Sequence, residues 1–263
     1  MQGIESNWGQ LTAHMRELAV LEGVSATLAW DQQVYMPHQS GSCRAEQMGL
    51  LARLAHDKRT DRRIEDWLGE LETQPLEPIR AAGVRNLRKS YDRTRRVPAE
   101  LAVRLSELEA HGFNAWQTAR EDNDYASFAP VLDQILSCVR EKAKCIDPNA
   151  HPYDVMLDDF DPGATVAELR PMFARLRDGL VELLAALREA GQQRSFEATM
   201  SVADQLAVNN VVARQMGFDF HKGRMDFSAH PFTTRPGFDD IRITTRLIDN
   251  DVLSGLGGTM HEV

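Results

Sequence analysis

From Leu11 to Met216 the chain keeps returning to one pattern, apolar side chains three and four positions apart, and only after Gly217 does the pattern change to alternation. A sequence spaced in this way must build its core from helix faces. Leu11, Met15, Leu18 and Leu21 begin the series, with Ser6 or Asn7 as N-cap. Gly23 is expected to interrupt that helix, and Ala26 to Met36 to resume it until Pro37. Arg44 to His56 carries Met48, Leu51 and Ala55, and Asp61 caps a shorter helix with Ile64, Leu68 and Leu71. Beyond Pro75 and Pro78, Ile79 to Tyr91 reads as a helix with a basic face that includes Arg80, Arg88 and Arg95. Acidic residues nearby make that face a solvated, salt-bridged surface in preference to a site for an acidic partner. Val97-Pro98 opens the next helix, with Leu101, Leu105 and Leu108, and Phe128, Leu132, Ile135, Leu136 and Val139 mark another.

The strongest helix begins at Thr165-Val166-Ala167-Glu168, which has the form of a capping box. Leu169, Phe173, Leu176, Leu180, Leu183, Leu184 and Leu187 follow, and Gly191 ends it. The aspartate-rich stretch before it, His151 to Gly163, lacks the spacing of an EF-hand loop and reads as a turn that caps helices. Ser201 starts one more helix, lined by Val208, Val211, Val212 and Met216 and capped by Gly217. Arg224 to Ala229 and Asp239 to Leu247 then read as two strands, the second with one buried face, joined by a loop from His230 to Phe238. The fold class expected is mainly α: a helical array with a small β-hairpin or sheet near the C-terminus.

A length of 263 residues with 43% hydrophobic content is enough for a sizeable core. The net charge of −9 is spread along the chain, which argues against nucleic acid or an anionic membrane as partner. The N-terminus lacks a basic stretch followed by an apolar run, so a soluble cytoplasmic location is the default reading. Cys43, Cys138 and Cys145 form no Cys-x-x-Cys motif and fit a reducing compartment.

Asp249-Asn250-Asp251 caps a last helix, which brings in Thr259-Met260-His261-Glu262-Val263. His-Glu opens the zinc-binding motif His-Glu-x-x-His, in which two imidazoles one turn apart bind the metal and the glutamate activates water. The dipeptide alone is common, and its weight comes from the stretches before it. These are Ala29-Trp30-Asp31-Gln32-Gln33-Val34-Tyr35-Met36-Pro37, Arg44-Ala45-Glu46-Gln47, Pro152-Tyr153-Asp154, Asp158-Asp159, Pro162-Gly163 and Gly217-Phe218-Asp219-Phe220. With His230-Pro231-Phe232, Asp240-Ile241-Arg242-Ile243-Thr244 and Thr259-Met260-His261-Glu262, the chain resembles the carboxypeptidase Taq family of zinc metallocarboxypeptidases in order and spacing.

The resemblance implies an all-helical body with a small sheet beside a long groove, often as a homodimer, that uses zinc to remove single residues from peptide C-termini. It makes His261 the first zinc ligand and Glu262 the general base. It places His230, Asp240, Arg242 and Thr244 along the groove, where they position substrate or hold the metal helix. Residues 1–263 are expected to be the N-terminal helical portion of the catalytic domain, cut within the zinc helix, so that this chain alone binds zinc weakly and is inactive. Gly255, Gly257 and Gly258 are expected to weaken that helix, and the surfaces carrying Phe227, Ile241, Ile243 and Leu247 to be left without their full complement of packing partners. The alternative is a non-catalytic helical binding or interaction protein that keeps the peptidase scaffold.

Overall fold

A computed structural model describes residues 2–191 and 199–263. Helix α1 runs unbroken from Gln2 to Val34, so Gly23 does not interrupt it. A single interior glycine costs a helix only about 1 kcal/mol. The glycine serves a close approach instead, because a Cβ at position 23 would collide with the carbonyl oxygen of Pro236. After a 3-10 turn at His38–Ser40, α2 spans Gly41–Arg59, α3 Arg62–Glu72, α4 Pro78–Thr94, α5 Ala99–Glu121 and α6 Tyr125–Ile146.

Sequence spacing and burial agree closely in α1 and α3. Leu11 of α1, Ile64, Leu68 and Leu71 of α3, and Val84 and Tyr91 of α4 form one buried cluster. Asp61 caps α3 as expected, its side chain accepting from the Arg63 N–H at 2.9 Å. The basic face of α4 is tied into ion pairs: Arg80 with Glu5, Arg88 with Glu65 and Glu72, and Arg95 with Glu65 and Asp92. Cys43 is exposed, Cys138 buried, and all three thiols are free.

The chain divides into two compact units, Met1–Val139 with Thr199–Val263, and Arg140–Ala198. In the second, α7 (Pro152–Leu157) leads to α8 (Val166–Glu189), and Asp154 within α7 and Asp158 at its end act as backbone caps. Asp154 accepts from the Val166 N–H at 2.8 Å and Asp158 from the Gly163 N–H at 3.1 Å. The Thr165–Glu168 capping box forms, and α8 ends at Gly191, whose φ of +65° suits glycine. None of the residues of α8 is buried.

In the first unit, α9 (Val202–Met216) ends on Gly217 at φ +103° and leads into three strands: β1 Gly223–Phe227, β2 Thr233–Gly237 and β3 Asp240–Thr245. The sheet order is β1-β3-β2, with β1 parallel and β2 antiparallel to β3. Two expectations change here. Residues 230–238 are not simply a loop, since Thr233–Gly237 pairs with β3. Nor does β3 have only one buried face: as the central strand it buries Ile243, Thr244 and Thr245 in succession. Ile243 packs with Ala213 and Phe218, so it does not lack partners. Helix α10, Val252–Glu262, closes the described chain.

Candidate active site

Helix α10 starts on the carboxylate of Asp251, which accepts from the Ser254 N–H at 3.2 Å. Its glycines do not prevent the helix from reaching Glu262. At Gly255 a Cβ would lie 2.5 Å from the Leu247 side chain and 3.4 Å from Gln205 Oε1, so the missing side chain lets α10 press against α9 and the segment after β3. One turn later Thr259 is fully buried, and its hydroxyl bonds to that of Thr245 at 2.9 Å. These two contacts fix the helix face, leaving His261 exposed and Glu262 half-buried. Thr233, the first residue of β2, has its hydroxyl 2.6 Å from Glu262 Oε2 and 2.7 Å from the Glu262 carbonyl oxygen.

The two faces of β3 do different work. Thr245 turns toward α10, whereas Asp240, Arg242 and Thr244 share the opposite face, as a period of two dictates. Thr244 Oγ1 accepts from the Phe232 N–H at 2.9 Å and lies 2.7 Å from Ser228 Oγ, while the His230 carbonyl accepts from Ser228 Oγ at 2.6 Å. Through these bonds Thr244 holds the His230-Pro231-Phe232 segment. Arg242 makes a two-pronged pair with Asp240, at 2.9 and 2.7 Å, and this hydrogen bonding holds the Asp240 carboxyl below its ordinary range.

Strand β1 repeats the device with the order reversed. Arg224, in register with Arg242, makes a two-pronged pair with Asp226, both bonds at 2.7 Å. The two guanidinium groups lie 4.9 and 4.2 Å from the ring centre of Trp30 on α1. Tyr35 donates to Asp226 Oδ1 at 2.8 Å, a bond that raises the phenol above its ordinary pKa. An aromatic and charged cluster therefore joins α1 to one face of the sheet.

The family model for the carboxypeptidase Taq (M32) metallopeptidases matches residues 10–263. The chain belongs to that family. It is 34% identical to thermostable carboxypeptidase 1 of Thermus thermophilus over 275 residues, which is 98% of this chain and 54% of the relative. It is 29% identical to the protein of that name from Pyrococcus furiosus, over 96% of this chain and 52% of the relative. Among solved structures, the M32 carboxypeptidase of Deinococcus radiodurans is 35% identical with a TM-score of 0.83, over 98% of this chain and 52% of that one. The chain spans about half the length of the curated relatives it matches.

In this M32 chain the structure brings together Thr244 with the His230 segment, Asp240 with Arg242, and Glu262 with Thr233. The His230 side chain is exposed, and it is the backbone of that segment that Thr244 grips. The sequence pattern did not single out Thr233, Arg224 and Asp226 as members of the cluster, and it held Trp30 only as part of the stretch Ala29 to Pro37. The x-Arg-x-Asp of β1 facing the Asp-x-Arg of β3 was a usable signal, since residues two apart on a strand share a face. An open depression of about 490 Å³ is lined by His14, Glu17, Leu21, Leu54, Asp57, Lys58 and Asp61, none of them a candidate site residue. Among the described residues no three His, Cys, Asp or Glu side chains are placed to hold a metal ion. His261 is one donor, short of the three that a catalytic zinc normally has, so the described residues do not by themselves form the family's metal site.

Proposed function

We propose that this chain is the half of a zinc-dependent metallocarboxypeptidase that carries the His-Glu helix, and that the whole protein releases single residues from peptide C-termini. The observation that supports this reading best is the placement of Glu262. Its carboxylate lies on the last turn of α10, hydrogen-bonded to Thr233 immediately after His230-Pro231-Phe232. In this reading His261 contributes one ligand to the metal and Glu262 accepts a proton from water, with the other ligands supplied from outside the described residues. Zinc when bound supplies Lewis acidity at the scissile carbonyl. Thr233 orients the Glu262 carboxylate, Thr244 fixes the backbone of the His230 segment, and the Arg224–Trp30–Arg242 stack holds the sheet rigid behind it. Peptide C-termini are the partners proposed, in a cytoplasmic homodimer.

The test is C-terminal residue release from a short peptide by the protein encoded in the complete reading frame. Release that stops on chelation and in Glu262→Gln supports the proposal; release indifferent to both refutes it. The 263-residue chain alone is expected to show no such release. The alternative reading is a non-catalytic helical binding or interaction protein on the peptidase scaffold. A complete frame that folds cooperatively but neither binds zinc nor cleaves peptide would favour that reading.

A further inference from the structure

We propose that the apolar surface of α8 is the docking surface for a helical polypeptide equivalent to the second half of the family's longer chains. The inference rests on the family assignment and is independent of catalysis. Its first observation is burial. Every large apolar side chain from Met172 to Leu187 in α8 is exposed, from 43% at Met172 to 60% at Leu187. Contiguous apolar area of that kind marks an interaction surface.

The second observation is the order of the side chains. Leu169, Phe173, Leu176, Leu180, Leu183 and Leu187 follow one another at alternating steps of four and three. Met172, Val181 and Leu184 widen this row into a broad apolar stripe, the width with which a helix packs lengthwise among other helices. Gly179 lies beside the stripe with nothing within 4 Å of a Cβ built there, so a partner backbone can come close. Charge along the helix is polar in the same direction: Glu168 with Arg170, Arg175 and Arg177 in the first half, then Asp178, Glu182 and Glu189 with Arg188 in the second. A partner with acidic residues beside the first half and basic residues beside the second is favoured.

The third observation names the occupant. The matched relatives extend over about as much chain again as this one covers. A helix already fixed by its capping box, with an uncovered packing stripe, is suited to receive that additional chain without having to fold on contact.

The experiment is hydrogen–deuterium exchange of residues 166–189 in the 263-residue chain, alone and mixed with a purified probe. The probe is the half of Thermus thermophilus thermostable carboxypeptidase 1 that this chain does not match, taken once circular dichroism and a single elution peak show it to be a folded helical chain, and the corresponding half of the Deinococcus radiodurans protein, held to the same standard, repeats the test. The proposal expects co-elution with at least one of the two and exchange in α8 slowed about tenfold or more. The double variant Leu176→Glu, Leu183→Glu should lose both effects while exchange in α3 stays unchanged. Co-elution with α8 still exchanging freely would overturn the proposal, as would failure to co-elute with either half. Protection of α8 in the chain alone, at twice the monomer mass, would overturn it by giving the surface to a second copy. Hydrolysis is not read, so a protected complex that cleaves no peptide leaves the docking intact and counts only against the peptidase reading.

Discussion

Helices α3 and α8 both begin with a side-chain cap and both space their leucines by three and four, yet Leu68 is fully buried while Leu180 is 47% exposed. The difference lies in their neighbours. Around α3 stand α1 and α4, whose Leu11, Val84 and Tyr91 close over Ile64, Leu68 and Leu71. Helix α8 has a longer and richer stripe, but none of its residues is buried. An apolar periodicity states that a face needs a cover without stating what supplies it.

The largest test of this contrast is to truncate one leucine in each helix. Leu68→Ala should cost about 2–5 kcal/mol, the range for a fully buried leucine, and so shift the urea midpoint strongly. Leu180→Ala in the chain alone should stay within about 0.5 kcal/mol, as exposed substitutions do. Equal losses would mean that α8 is covered after all.

Glycines sharpen the comparison next. Gly23→Ala drives a methyl group into the Pro236 carbonyl and should destabilise by about 1–3 kcal/mol, read in a thermal melt. Gly179→Ala enters open space in α8 and should raise helicity by circular dichroism, worth up to about 1 kcal/mol. The same substitution is thus expected to have opposite signs in the two helices.

A smaller effect concerns the cap of α3. Hydrogen bonding from Arg63 lowers the Asp61 pKa from 3.8 to about 2. A carboxylate with a depressed folded-state pKa contributes stability that is present above its ordinary value and lost as pH falls through the folded one. Asp61→Ala should therefore cost about 1 kcal/mol at neutral pH, with the difference from wild type shrinking between pH 4 and pH 2 in acid titrations followed by circular dichroism. A difference that persisted at pH 2 would show that the cap does not act through the charged carboxylate. A similar but more local change is Thr165→Val at the α8 cap, which should lose about 0.5–1 kcal/mol and move chiefly the exchange of the first turn.

Much of this architecture was legible beforehand because helix formation is local. The spacing of Ile64, Leu68 and Leu71, the Asp61 cap, the Thr165–Glu168 box and the Gly217 terminus each depend on residues within a turn or two of one another, and each appears as expected. Family membership was legible for a related reason: the short motifs around Trp30, His230, Asp240 and His261 keep their order along the chain. The candidate site was legible only as a set of names. That Thr233 meets Glu262, that Arg224 and Arg242 stack on Trp30, and that Thr244 binds the backbone beside His230 all depend on pairings across long sequence separations.

What the chain determined by itself was where helices start and stop and which faces are apolar, because those follow from backbone hydrogen bonds and side-chain spacing within single elements. Tertiary structure decided the rest. It turned Gly23 and Gly255 from apparent helix breakers into points of close approach, and it buried Thr244 and Thr245 by making β3 a central strand whose hydroxyls find partners on both sides. It also left uncovered the leucines of α8, where exposure had been expected around Ile243. Burial is a property of what lies opposite a surface, and no local pattern contains that information.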